Sequence, residues 1–158
     1  MKNFLKTTAM LFIALCFVAC SNNDDDLTPK SLEVTPHNIS GYWMLTEFNG
    51  MELPEGVFCY IEYIRKDRKF VMYQKFDSMY PRRITGVYSI EKDKYGKYIL
   101  SGVYDYGMGE WNNKYFVTEL LDNTMILTAD SENADICRYV RCNEIPAEVL
   151  ETVKKNSF

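Results

Sequence analysis

The feature that most constrains the fold of this chain is a series of eight short strand-like segments with no helical pattern between them. Each segment is rich in aromatic and β-branched residues, and polar turn residues separate it from the next. The predicted strands cover residues 39–48, 57–64, 69–76, 83–91, 97–104, 114–121, 124–129 and 136–142. Because no helix provides a crossover, consecutive strands are expected to pair in antiparallel fashion. The sequence therefore predicts an all-β, eight-stranded, up-and-down antiparallel barrel.

A short C-terminal helix is predicted after the last strand, over residues 144–155. Asn143 can cap it, and Pro146 suits its first turn. Ile145, Val149 and Val153 share one face of this helix. The apolar face favours a helix that packs against the outer wall of the barrel, and a fraying end is the alternative.

The first strand opens with a glycine and a tryptophan that can close the floor of a barrel. Gly41 lets the chain enter the strand with no Cβ in the way, and Trp43 lies on the same face two residues later. A buried tryptophan removes roughly 150–250 Å² from water. Trp43 is therefore expected to be the aromatic residue whose removal costs the most stability.

Gly41-x-Trp43 at the start and Tyr139-Val140-Arg141 in the last strand resemble the lipocalin-like (calycin) domains of Gram-negative surface and periplasmic lipoproteins. The resemblance covers residues 39–142. It implies that an arginine near the end of the barrel packs over the first-strand tryptophan in a cation–π contact. Arg138 and Arg141 are the two candidates for this role.

The first residues carry the pattern of an export signal. Lys2 and Lys6 precede an apolar run over residues 10–18, which is too short to span a membrane. The run ends in Ala19-Cys20, which resembles the site where a lipoprotein precursor is cleaved and lipidated. We therefore expect a signal peptide over residues 1–19, a lipid-modified Cys20 with a flexible acidic linker over 20–38, and a folded domain over 39–158.

The charges of the exported part narrow its location and partners. The acidic run over residues 21–26 resembles sequences that direct lipoproteins to the outer face of the outer membrane. Cell-surface exposure is the prediction, and a periplasm-facing lipoprotein is the alternative. Lys2 and Lys6 are the only charges before Cys20, so the exported chain keeps 16 of the 18 basic and all 22 acidic residues. This net negative charge argues against a nucleic-acid partner.

The residues that usually carry catalysis are scarce. His37 is the single histidine and lies in the predicted linker, which removes histidine-based catalytic or metal sites from the barrel. Glu47, Glu62 and Glu119 are more readily explained as solvated or salt-bridged acids than as a catalytic pair. We therefore expect a protein that is not an enzyme and has no cofactor or metal.

The connection over residues 104–113 carries the strongest signal for a binding site. Tyr104, Tyr106 and Trp111 provide aromatic faces, and nearby acids and amides could bind hydroxyl groups. Trp111 is the predicted stacking platform. The alternative is a hydrophobic lid in which these aromatics fold back onto the end of the barrel.

Alternation along the strands predicts which side chains point into the barrel, Tyr60 and Tyr88 among them as further ligand candidates. A one-residue error in register would exchange the two faces of a strand. The predicted inward residues are Trp43, Leu45, Glu47, Phe58, Tyr60, Phe70, Met72, Tyr88, Ile90, Tyr98, Leu100, Tyr115, Val117, Met125 and Leu127.

Two functions remain open at this point. An open cavity would make the protein a binding module for a small hydrophobic or glycan-like ligand at the mouth of the barrel. A filled barrel would instead serve as a scaffold that presents its surface to a protein partner.

Three cysteines belong to the predicted domain. An oxidising compartment permits one disulfide among Cys59, Cys137 and Cys142. Cys137 and Cys142 would face opposite sides of one strand and cannot pair. A Cys59–Cys142 bridge is the prediction, and three free thiols are the alternative.

Overall fold

A computed structural model describes residues 30–156 of the chain. The predicted signal peptide, the lipid-attachment residue Cys20 and the first part of the predicted linker lie outside the described residues. Within the described range, no helix is long and apolar enough to cross a membrane.

The described chain forms a closed antiparallel barrel, which confirms the predicted fold class. Strands are numbered in chain order: β1 (Gly41–Phe48), β2 (Met51–Glu52), β3 (Cys59–Ile64), β4 (Lys69–Gln74), β5 (Arg82–Lys92), β6 (Tyr98–Tyr104), β7 (Tyr115–Leu120), β8 (Thr124–Ala129) and β9 (Ile136–Cys142). The two-residue β2 pairs only with the end of β1, and β9 pairs back with β1. The other eight strands therefore form the barrel in up-and-down order. A single 3₁₀ turn (Lys66–Arg68) links β3 to β4.

A register shift in β1 changes which residues near its end face inward. The pairing of β1 with β9 is interrupted between Leu45 and Glu47. As a result Phe48 packs against the core, whereas the Glu47 carboxylate accepts a hydrogen bond from Arg138 Nε at 3.2 Å. The prediction that Glu47 points inward is wrong, because the irregularity inserts an extra residue and reverses the alternation.

Strand β3 has the opposite face inward from the one predicted. Cys59, Ile61 and Tyr63 are buried, so Phe58 and Tyr60 lie on the outer face. Both faces of this strand carry apolar residues, and pairing of Ile61 with Trp43 fixes the register. The other predicted inward residues are buried or pack against the core: Trp43, Leu45, Phe70, Met72, Tyr88, Ile90, Tyr98, Leu100, Tyr115, Val117, Met125 and Leu127.

The segment before β1 closes one end of the barrel. Val34 and Ile39 are buried in the core cluster, and Leu32 N donates a hydrogen bond to Leu120 O at 2.7 Å. The folded part therefore begins several residues before the predicted boundary at residue 39. The physical reason is that the apolar side chains of this segment cover the hydrophobic end of the barrel.

Trp43 forms the floor of the barrel beneath this segment. Its side chain is fully buried, and Nε1 donates a hydrogen bond to Ile39 O at 2.8 Å. The Arg141 guanidinium lies 4.2 Å from the centroid of the indole ring. Arg141, and not Arg138, therefore makes the cation–π contact that the sequence resemblance implies.

The position of Arg141 also explains Gly41. Arg141 donates hydrogen bonds to three backbone carbonyls: from Nε to Asp122 O at 2.8 Å, from Nη1 to Ser40 O at 2.6 Å and from Nη2 to Asn38 O at 2.8 Å. Gly41 has φ +112°, and a Cβ there would lie 2.9 Å from Arg141 Nη1. Glycine thus provides both the backbone conformation and the space that the guanidinium needs.

The C-terminal helix α1 (Ala147–Lys155) packs on the outer wall, as the apolar face predicted. Val149 and Val153 are buried, and the helix contacts β4 and β5. It begins three residues later than predicted. Pro146, not Asn143, precedes its first turn, because the fixed φ of proline suits the start of a helix.

Candidate functional site

A cavity of about 320 Å³ opens at the end of the barrel opposite Trp43. Its opening is surrounded by the connections that follow β1, β4, β6 and β8. The residues that line the cavity are Leu45, Phe48, Cys59, Ile61, Tyr63, Met72, Gln74, Phe76, Asp77, Tyr104, Trp111, Asn112, Asn113, Tyr115, Leu127, Asp135, Cys137 and Tyr139. The barrel is therefore not filled, which removes the premise of the filled-scaffold hypothesis.

Aromatic side chains form much of the wall near the opening. Trp111 packs edge-to-face against Phe70, with ring centroids 5.2 Å apart, and against Tyr115 at 6.2 Å. Phe48 and Phe76 make a similar pair at 4.9 Å. Such edge-to-face packing orders the rings, so the wall is largely preformed.

Trp111 belongs to the barrel wall and not to a free loop. The segment before β7 folds back along β6, with Trp111 N donating to Gly102 O at 2.9 Å and Tyr104 N donating to Gly109 O at 2.8 Å. A Cβ on Gly102 would lie 2.4 Å from Trp111 Cε2. Gly102 therefore provides the space in which the indole ring sits. The position of Trp111 therefore matches the predicted hydrophobic lid more closely than a stacking platform on a free loop.

Two of the five predicted ligand residues, Tyr104 and Trp111, line the cavity. Tyr106 lies at the tip of the same loop and is 94% exposed. Tyr60 lines a groove on the outer face, because the register of β3 turns it away from the interior. Tyr88 is buried against Tyr63, with ring centroids 5.2 Å apart, and does not line the cavity.

Neutral thiol and phenol groups line the cavity. Burial is the main cause that raises the pKa of the Cys59 thiol to about 12 and that of Cys137 to about 11. Burial also holds the pKa values of Tyr63 and Tyr139 well above the ordinary value of a phenol. These groups therefore stay protonated at neutral pH and can donate hydrogen bonds to a ligand.

The three cysteines of the described chain are free thiols, so the predicted Cys59–Cys142 disulfide is wrong. Cys142 pairs with Tyr42 near the floor, whereas Cys59 points into the cavity. The two side chains lie on opposite faces of the barrel wall, and β1 separates their strands. Sequence spacing could not reveal this arrangement.

Polar residues that the sequence analysis did not single out gather near the opening. Gln74, Asp77, Asn112, Asn113 and Asp135 line the cavity. Gln74 is 4% exposed and is the one buried polar residue of the described chain. It lies two residues beyond Met72 on the inward face of β4, so alternation could have identified it. The loop residues have no such signal.

Exposed apolar side chains surround the opening. Met51, Met79, Tyr80, Tyr106 and Met108 are all more than half exposed. They belong to the connections that follow β1, β4 and β6. The rim of the cavity thus combines exposed apolar side chains with polar ones. In the described range, no cluster of histidine, cysteine, aspartate or glutamate side chains could hold a metal ion.

Two comparisons with known proteins found matches. The family model of the lipocalin-like domain matches residues 39–127. Among solved structures, a complex of bovine odorant binding protein with a selenium-containing odorant is similar at a TM-score of 0.38 and 15% identity, covering 80% of this chain and 84% of that chain. No curated protein matches the chain.

Proposed function

Because the chain belongs to the family of lipocalin-like domains, we propose that it is a non-enzymatic binding protein that holds a small hydrophobic ligand inside its barrel. The observation that supports this function is the cavity of about 320 Å³, which lies at the lower end of the range of ~300–1,000 Å³ typical of ligand pockets.

The lining favours a hydrophobic ligand over a glycan. Leu45, Ile61, Leu127 and Met72 contribute apolar surface, and aromatic rings enclose the upper part. A glycan would bring many hydroxyl groups into this surface, and each unpaired one would cost free energy. The phenols and thiols are suited to a ligand with only a few polar atoms.

Two tyrosines, one at the end of β6 and one in the loop that follows it, provide a matched test. Tyr104 lines the cavity, whereas Tyr106, two residues later, points into solvent. The neutral fluorescent probe N-phenyl-1-naphthylamine should bind with one saturable site. Tyr104→Ala should weaken this binding about tenfold, which corresponds to ~1.4 kcal/mol. Tyr106→Ala should leave the affinity unchanged. Equal affinities in the two variants would place the probe elsewhere and contradict the proposed site.

We further propose that Cys20 carries a lipid and that the protein is an outer-membrane lipoprotein exposed at the cell surface. The support is the sequence pattern around Cys20 and the acidic residues that follow it. Cys20→Ser should abolish incorporation of labelled palmitate and release the protein from the membrane. Protease treatment of intact cells should remove the domain, and protection from the protease would favour the periplasm-facing alternative.

Binding of a protein partner is the second candidate function, and the exposed apolar side chains at the rim of the cavity favour it. Met79, Tyr106 and Met108 are exposed around the opening, and methionine side chains adapt readily to different partner surfaces. Cross-linking in intact cells from a photoreactive residue at position 106 should identify a partner. A matched photoreactive residue at Glu151, on the exposed face of α1, should not give the same product.

A further inference from the structure

The charges that line the cavity are negative. Asp77 and Asp135 are among the lining residues, and none of the described lining residues is a lysine, arginine or histidine. A binding site for an anionic amphiphile, such as a fatty acid, would need a basic residue to compensate for the loss of water around the carboxylate. The lining instead offers carboxylates, neutral phenols and amides.

The two carboxylates differ in how far they are already neutralised. Asp77 Oδ1 accepts a hydrogen bond from Arg82 Nη2 at 2.6 Å, and both side chains are largely exposed. Asp135 Oδ1 accepts from the neutral amide Asn49 Nδ2 at 2.9 Å. In the described chain, no basic side chain forms a salt bridge with Asp135. The carboxylate of Asp135 therefore has a neutral hydrogen-bond partner, in contrast to that of Asp77.

The fields of these carboxylates reach the interior. Burial is the main cause that raises the pKa of Cys137, and the charge of Asp135 raises it further. Burial likewise raises the pKa of Tyr104, with an additional contribution from Asp77 that the charge of Arg82 opposes. Each carboxylate thus disfavours a further negative charge on the group beside it, and it would disfavour a bound anion at the same place.

Aromatic rings and a buried amide complete the arrangement. Trp111 and Tyr115 stand together in the wall near the opening, and aromatic faces attract ammonium groups. Gln74 is buried in the same wall, and the oxygen of a glutamine amide can accept a hydrogen bond from a ligand N–H.

We propose that the ligand is a hydrophobic molecule with a positively charged amine or quaternary ammonium group, bound with that group near Asp135 and its apolar part against Leu45 and Leu127. This inference rests on the proposed function and specifies the ligand class of the same cavity. It assigns Asp135 as a specificity-determining residue for charge.

Three ligands with the same chain and different charge provide the test. Decyltrimethylammonium, decanol and decanoate are each titrated calorimetrically into the full chain, below their micelle concentrations. The affinity should fall in that order, with the cation at least tenfold tighter than the alcohol and the anion weaker than the alcohol. Raising the salt concentration should weaken binding of the cation and leave that of the alcohol nearly unchanged.

Two variants of the β8–β9 connection separate a specific role of Asp135 from a general effect of charge. Asp135→Asn should abolish the preference for charge, so that the cation and decanol bind this variant with equal affinity. Glu132→Gln removes an exposed acid from the same connection that does not line the cavity, and it should keep the preference. Thermal unfolding of both variants verifies that they fold.

The outcomes distinguish the charge inference from the proposed function. If decanol and decanoate bind as tightly as the cation, or if Asp135→Asn keeps the preference, the cavity binds ligands but the charge inference is wrong. If none of the three ligands binds and N-phenyl-1-naphthylamine also fails to bind, the proposed function itself is wrong.

Discussion

Replacement of Arg141 by lysine should destabilise the barrel far more than the same replacement at Arg138. Both residues lie on β9, three positions apart, so the two variants differ only in environment. Arg141 donates three hydrogen bonds to backbone carbonyls and covers the ring of Trp43 at 4.2 Å. Arg138 makes one ion pair with Glu47 on the outer face, where the two side chains are 41% and 39% exposed.

The contacts give the expected magnitudes. A hydrogen bond to a charged group contributes about 1.5–3 kcal/mol, and a cation–π contact about 0.5–2 kcal/mol. Lysine keeps the charge but cannot reach three carbonyls in different directions, so at least two of the bonds are lost. Because such contributions overlap, we expect Arg141→Lys to lower the free energy of unfolding by about 2–4 kcal/mol. An exposed ion pair contributes about 0–1 kcal/mol, which is the upper limit for Arg138→Lys.

Urea unfolding followed by far-ultraviolet circular dichroism measures both values. With a slope of roughly 2 kcal/mol per molar urea, Arg141→Lys should shift the midpoint by about 1–2 M and Arg138→Lys by less than about 0.5 M. Combining Arg141→Lys with Trp43→Phe tests whether the two residues act together, since coupled residues lose less in combination than the sum of the single losses. Equal midpoint shifts for the two arginine variants would refute the assignment of the floor contact to Arg141.

Three further predictions concern the interior. Gly102→Ala should displace the Trp111 ring, lower stability by about 1–3 kcal/mol and shift the fluorescence of Trp111; unchanged emission would mean that the ring is not seated on Gly102. The contribution of Cys59 and the buried tyrosines to stability should be constant below pH 9, the ordinary pKa of a cysteine, and should decline as pH rises toward 12. The reason is that unfolding lets Cys59 and the buried tyrosines ionise. Cys59→Ala should make the urea midpoint less dependent on pH in this range. Dithionitrobenzoate should modify the partly exposed Cys142 first and reach Cys59 and Cys137 only after unfolding; a single reactive thiol among these three in urea would indicate a disulfide.

The strands and the floor were predictable because their signals are local. Alternation located all eight barrel strands to within a few residues, and the Gly41-x-Trp43 pattern identified the buried indole. The inward face of β3 was not predictable, because Tyr60 and Ile61 are equally suited to a buried position. The inward and outward faces are exchanged at Glu47 and Phe48 because β1 has one residue more than β9 at this point. The sequence of β1 alone does not reveal this extra residue.

The site was predictable only in part, for a related reason. Tyr104 and Trp111 were found because they form an aromatic cluster within one loop. Asp77 and Asp135 come from connections far apart in the chain and meet only when the barrel closes. The packing of Leu32 and Val34 was not predictable, because the apolar end that they cover is created by the fold itself.

The position of the segment before β1 determines which end of the barrel a tether at Cys20 would reach. Leu32 N donates a hydrogen bond to Leu120 O at the floor of the barrel, which is the end opposite the opening of the cavity. If the chain is anchored through Cys20, the tether joins the barrel at its closed end, and the opening lies at the end of the barrel away from the point of attachment. Ligands could then enter and leave without release of the anchor. Tension on the tether would act first on the Leu32–Leu120 hydrogen bond and on the bonds from Arg141 to Asn38 and Ser40, so the floor contacts would also be the mechanical attachment of the domain.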